Sequence, residues 1–252
     1  MTTDRPMQSA APDELAVRLA RVGLPARGAH DRQGALPGPL RAVHRAVLGA
    51  FLSEAGAPEL TVVGRLAAER QLEPQAALVA LAAADLVHTD PIAGRVRVAY
   101  PFSGAPTSHR VKLADGPTLY AMCALDALGI PLMTGRNALI GSADPTSGQP
   151  ITIQVDGNGW RWRPATTVVL AGTTITGGAC GSVADCCCPY INFHASPHHA
   201  DSYRRAHPTM AAELLDQAEA VEAARRSFGG LLHPESGHDP AASPTTEMHG
   251  NA

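Results

Sequence analysis

This chain of 252 residues contains no apolar run approaching the about 18 consecutive residues of a membrane-spanning helix, so it is not expected to cross or anchor in a membrane. Its start, Met1-Thr-Thr-Asp-Arg-Pro, has no basic-then-apolar leader pattern, and the expectation is a cytoplasmic protein. Basic residues are in slight deficit: 20 Lys and Arg stand against 23 Asp and Glu, for a net charge of −3 and a pI near 6.4. A surface built for phosphate backbones needs concentrated positive charge, so nucleic acid is not an expected partner. The Gly-rich stretch Thr176-Gly-Gly-Ala-Cys-Gly-Ser has no following Gly-Lys-Ser/Thr and is no phosphate loop; its expected role is a mobile gate. The 45% hydrophobic content is ample for a core.

Five cysteines are present, and four of them, Cys180, Cys186, Cys187 and Cys188, fall within nine positions. An odd number so clustered is not the spacing of a secreted disulfide framework, and in a reducing compartment it points to metal binding or thiol chemistry. The fifth, Cys123, lies in Gly116-Pro-Thr-Leu-Tyr-Ala-Met-Cys-Ala-Leu-Asp-Ala-Leu-Gly-Ile-Pro131. We read this stretch as a short helix, with Asp115 as cap, Pro117 at the first position and Gly129 and Pro131 as the stop. Residues three apart share a helix face, so Cys123 and Asp126 can point into one volume while Leu119, Met122 and Leu125 anchor the element. Taken alone, such a pair is more often a small hydrophobe and a solvated carboxylate.

Along the chain the expected organisation is α+β. Residues 1–39 form an arm with one short helix over Asp13–Val22, loosely packed. Residues 40–102 carry three helical patterns, around Val43–Phe51, Thr61–Glu69 and Pro74–Ala84, then a hairpin of Leu86–His88 and Arg95–Tyr100 about the Pro91–Gly94 turn; this is a winged-helix-like layout. Its would-be recognition helix, Leu72–Leu86, contains no Arg or Lys and begins with Glu73 and Gln75, which argues against reading a major groove. Residues 103–233 are expected to be a mixed, mainly antiparallel sheet domain with flanking helices: strands at Arg136–Ile140, Pro150–Val155 and Thr166–Leu170, a helix over His198–Ala206, and a longer helix from Met210 to Phe228. Residues 234–252 have little to bury and are read as a disordered tail.

An extended Cys186-Cys187-Cys188 places at most Cys186 and Cys188 on one face. Four zinc ligands are available in principle, from Cys180 and the triplet or from the triplet with His194, His198 and His199, but the spacing is that of no known zinc knuckle. His194, His198 and His199 are otherwise read as surface groups at a helix start. Trp160 and Trp162, alternating with Arg161 and Arg163, are read as packing one face of a strand.

Leu119-Tyr-Ala-Met-Cys-Ala-Leu-Asp-Ala-Leu-Gly-Ile-Pro-Leu-Met-Thr-Gly-Arg136, the turn from Ser142 to Gly148 and Cys188-Pro-Tyr-Ile-Asn-Phe-His-Ala-Ser196 together resemble the alkylmercury lyases, the organomercurial lyases of bacterial mercury resistance, over roughly residues 40–230. The resemblance implies a winged-helix-like first domain not used for DNA. It also implies protonolysis of the carbon–mercury bond of R–Hg⁺ to R–H and Hg²⁺. Cys123 and Cys188 then bind mercury, and Asp126 is proton donor and mercury neighbour. No cofactor is required; Hg²⁺ is held as product, and free thiols support turnover. Small cytosolic thiols or a mercuric reductase are the implied Hg²⁺ acceptors. The chain departs from the family at Phe193-His194, where a pair of aromatics is common, and at Asp144, where a cysteine is common. Cys187 remains open as the second ligand. Two other readings stand beside this one: a non-catalytic binder of Hg²⁺, another soft metal or a metalloid, for which the triple cysteine speaks, and a metal-responsive regulator, against which the uncharged recognition helix speaks.

Overall fold

The computed structural model of the chain describes residues 13–54, 56–174 and 182–233. The expected tail and the Gly-rich gate up to residue 181, Cys180 included, lie outside the described residues. Helices α1 (Glu14–Arg21) and α2 (Gly28–Gly34) are followed by α3 (Gly38–Glu54), α4 (Leu60–Ala68) and α5 (Pro74–Ala83). Asp13 caps α1 by accepting from Ala16 N, and Glu73 caps α5 by accepting from Gln75 N and Ala76 N. Glu73 is thus spent on the helix end. Strands β1 (Val87–Asp90) and β2 (Arg95–Ala99) close the hairpin of the winged-helix-like unit.

That hairpin continues into the second half of the chain. Strands β3 (Phe102–Ser103), β4 (Arg110–Leu113), β5 (Thr118–Ala121), β6 (Ala138–Ala143), β7 (Pro150–Asp156) and β8 (Gly159–Arg163) join it in one antiparallel sheet of order β1-β2-β3-β5-β4-β6-β7-β8. Helix α6 (Ala124–Thr134) lies between β5 and β6 in sequence and packs on β4, β5 and β6. A second sheet, β10-β9-β11, is built from β9 (Val168–Thr174), β10 (Ile191–His194) and β11 (Met210–Leu215). Between β9 and β10 come the single turn α7 (Val183–Cys186) and a 3-10 turn, Cys188–Tyr190; α8 (Pro197–Ala206) and α9 (Gln217–Phe228) complete the described chain.

Three expectations about local structure are corrected. The helix expected from Gly116 to Pro131 is half strand. Thr118–Ala121 alternates half-buried and buried as β5, and the helix starts only after Cys123, whose sulfur caps it. Pro131 sits inside α6, and Gly135, at φ +65°, ends it where a left-handed residue is needed. The expected helix Met210–Phe228 is β11 followed by α9: residues 210–215 pair with β9, and Asp216 with Glu219 forms the capping box that starts α9. Helical periodicity of Leu214, Leu215 and Ala218 crosses that boundary without revealing it.

From residue 13 on, the arm is firmly docked. Leu19, Val22, Leu24 and Ala29 are buried in the same continuous core as α6 and α9. Arg18 reaches Glu213 (3.2 Å), Glu219 (2.5 Å) and the Leu214 carbonyl (2.6 Å), Arg226 pairs with Asp13, and Thr173 Oγ1 donates to the Val22 carbonyl (2.6 Å). Gln33 Nε2 adds bonds to His44 Nδ1 (2.8 Å) and the Leu231 carbonyl (3.1 Å). The arm therefore roofs the region where α6 and α9 meet.

Candidate functional site

Strand β5 delivers the chain to Cys123 at the edge of the core, and α6 begins at the next residue. The Asp126 N–H donates to Cys123 Sγ at 3.5 Å, so the sulfur occupies the position where a helix start offers N–H groups and partial positive charge. One turn on, Asp126 is 2% exposed. From the other direction β9 and β10 frame α7 and the 3-10 turn, which sets Cys188 against the same point. Cys188 Sγ donates to Asp126 Oδ2 at 3.7 Å, across 62 positions of sequence. One ligand atom each from Cys123, Asp126 and Cys188 lie within 4.8 Å of one another, and all three residues are buried.

Two thiolate precursors and a carboxyl at these distances, out of water, form a soft-ligand site with its own proton carrier. Burial pushes Asp126 up to about 7, against the pull of the Cys123 and Cys188 thiols and of the Arg32 guanidinium. Burial, more than its neighbours, holds the Cys123 thiol well above its ordinary range. For Cys188 the hydrogen bond with Cys123 pulls down, but burial and the Asp126 charge outweigh it, and the thiol also stands raised. The cluster thus stores protons on sulfur and can exchange one at Asp126 near neutral pH.

A cavity of about 90 Å³ opens on the three side chains, roofed by Leu19, Leu24 and Ala29 of the arm and walled by Leu125, Ile191 and Phe228. Its lining also includes Cys187, and Arg32 and Tyr100, two residues that local sequence patterns do not single out. Arg32 lies 5.5 Å over the Tyr100 ring and 3.8 Å from Asp85 Oδ2. Asp85 accepts from His88 Nε2 (2.6 Å), and the Tyr100 hydroxyl lies 3.1 Å from Ser182 Oγ and accepts from Ala184 N (2.6 Å). Burial pushes Asp85 up, but His88, Arg32 and the Val183 N–H together hold it below its ordinary value. This network pins the start of α7, hence the thiols that follow it, to the winged-helix-like unit.

The triplet is not extended. It bends from α7 into the 3-10 turn, so Cys187 and Cys188, not Cys186 and Cys188, line one cavity. Of the histidines expected at the surface, His198 is exposed, His199 Nδ1 is bonded to Asp144 Oδ2 (2.7 Å), and His194 is fully buried beside Tyr203. The correction at His194 follows from strand alternation: Phe193 and His194 both pack because β10 is covered on both faces. None of the three histidines joins the cysteines in a ligand group among the described residues. Trp162 packs edge-on to Phe193 at 5.9 Å, as a strand face requires.

Two buried thiols and a carboxyl that could hold a soft metal ion, set where a winged-helix-like unit shares its sheet with an antiparallel α+β unit, define the class. The alkylmercury lyase (MerB) family model matches residues 102–229, just over half of the chain, and the chain belongs to that family. An alkylmercury lyase of Staphylococcus epidermidis is 33% identical over 57% of this chain and 63% of its own length. One of Streptomyces lividans is 32% identical over 50% of this chain and 57% of its own. The matches thus span less than two thirds of these relatives. The fold is similar to the crystal structure of the mercury-bound form of MerB2, with a TM-score of 0.66 at 18% identity over 87% of this chain and 98% of that one.

Proposed function

We propose that the chain is an organomercurial lyase that cleaves the carbon–mercury bond of R–Hg⁺ by protonolysis. What supports this reading above all is the buried convergence of Cys123, Asp126 and Cys188 within 4.8 Å. Mercury is soft and exchanges hard ligands for thiolates readily. As R–Hg⁺ enters the cavity it supplies the counter-charge that lets the first thiol lose its proton, and Asp126, the nearest acceptor, takes it. The second thiol joins mercury, its proton leaving to solvent, and the two sulfurs push electron density toward carbon. Asp126 then returns its proton to the departing carbon as general acid. The balance is R–Hg⁺ plus two thiols giving R–H, Hg²⁺ held by two thiolates, and one proton. The apolar roof and its size suit small alkyl or single-ring aryl groups. Small thiols of the cytoplasm, or the cysteines of a mercuric reductase, are the proposed acceptors of Hg²⁺.

The test is incubation of the protein with methylmercury and excess small thiol, following methane and protein-bound mercury in wild type and Asp126→Ala. Methane from the wild type alone supports the lyase with Asp126 as donor. Tight mercury binding without methane from either protein would instead leave a non-catalytic soft-metal binder, the reading favoured by the third thiol in the cavity.

A further inference from the structure

Among the described residues the free cysteines are Cys123, Cys187 and Cys188, and all three line one cavity. Cys123 and Cys188 form the tight group with Asp126, whereas Cys187 lies outside that 4.8 Å group. It is therefore a neighbour of the ligand pair rather than a member of it. At 6% exposure against 3% for each of the other two, it is the least enclosed of the three. The chain immediately before it rises to the surface: Cys186, which is not a free thiol, is partly buried, and Asp185 is exposed and paired with Arg97 at 3.0 Å. Cys187 belongs to the buried core, with its sulfur 3.5 Å from Cys186 Sγ, and at the same time lines the cavity that the ligand pair lines.

We infer that Cys187 is the exit thiol of the site, taking Hg²⁺ from the Cys123–Cys188 pair and presenting it to an incoming small thiol. The inference rests on the lyase reading for the origin of the Hg²⁺. The step is a ligand exchange with no change of oxidation state: a mercury–sulfur bond to Cys187 forms, the bond to Cys123 breaks, and the Cys187 proton passes to the Cys123 sulfur. One small thiol then displaces Cys187 and a second displaces Cys188 in the same way, each giving its proton to the protein sulfur that mercury leaves. Exchange between two deeply enclosed sulfurs and a solution thiol is otherwise obstructed by the roof of the arm. A third thiol held in the same cavity offers the first exchange at a high effective concentration.

The experiment loads the full chain with one equivalent of inorganic Hg²⁺ and follows its transfer to excess glutathione in wild type and in Cys187→Ser. The expected result is transfer slowed by about tenfold or more in the variant, the scale on which proximity of a reacting group acts. In the wild type the rate levels off with rising glutathione, because the internal exchange becomes limiting; in Cys187→Ser it stays proportional to glutathione. Equal rates with the same thiol dependence would overturn the inference. So would a wild-type rate that rises without limit, a measurement that does not depend on the variant folding. Absence of methane from wild type and methylmercury would sink the lyase reading alone, since this assay starts from inorganic Hg²⁺.

Discussion

Replacing Asp126 by Asn should make the protein more stable at neutral and mildly alkaline pH, by an amount set by burial. The carboxyl moves from an ordinary 3.8 to about 7 in the folded chain, with burial as the main cause. Below about pH 4 the carboxyl is protonated in both folded and unfolded chains, and the folded state bears no penalty. Between these midpoints the unfolded chain releases the proton and the folded chain keeps it, so stability falls as pH rises and the loss is complete above about pH 7. The difference between 3.8 and about 7 corresponds to about 4 kcal/mol. Asn cannot ionise and escapes this loss. Urea denaturation of both proteins at steps from about pH 4 to about pH 8 isolates the effect, because every other titrating group is common to both. The stability of Asp126→Asn relative to wild type should climb with pH across that window. A gap that stays constant, or that narrows as pH rises, would refute the argument that burial keeps this carboxyl protonated.

Gly129→Ala should destabilise the protein by about 1–3 kcal/mol, read as a drop in the urea midpoint, because a methyl there would lie 2.7 Å from Phe228 Cγ and closer still to Cδ2 where α6 and α9 cross. Asp144→Ala removes the acceptor of Thr146 N (2.7 Å), Ser147 N (3.1 Å), Ala195 N (2.7 Å) and His199 Nδ1 (2.7 Å). Leaving the buried Ala195 N–H unpaired and the turn untied should cost about 2–3 kcal/mol, measured by thermal or urea unfolding. Cys123→Ser and Cys188→Ser should each abolish methane release from methylmercury, since a hydroxyl is a hard and poorly ionised substitute for a thiolate; retained turnover in Cys188→Ser would move the second ligand to Cys187.

Much of the architecture was legible because its signals are local. The three helices and hairpin of the winged-helix-like unit follow from apolar spacing and turn residues between Leu40 and Phe102, and the strands around Ala138–Arg163 from alternation. The misreadings share a cause. The stretch 115–121 has a capping residue, Asp115, and a proline, Pro117, suited to a helix start, but its pairing with β3 and β4 satisfies the backbone first. Met210–Leu215 has helical apolar spacing, but β9 offers it a ladder that a single sequence does not display. The arm looked loose because its few apolar residues bury themselves against elements some 200 positions away, as the Arg18 and Arg226 contacts do.

By itself the sequence determined the chemistry on offer: Cys123 and Asp126 one turn apart, and a second cysteine group ahead of Phe193 and Ala195-Ser196. Those features are residue identities and short spacings, and they survive any arrangement of the rest of the chain. Only the tertiary structure decided that Cys188 rather than its neighbour meets Asp126, that Cys187 faces the same cavity, and that Arg32 and the arm close over it. It also decided the protonation of the site, because Asp126 is raised by the removal of water around it. Burial is a property of everything packed against a group, and no stretch of sequence around Asp126 contains the Leu19, Cys188 and Phe228 that share its cavity.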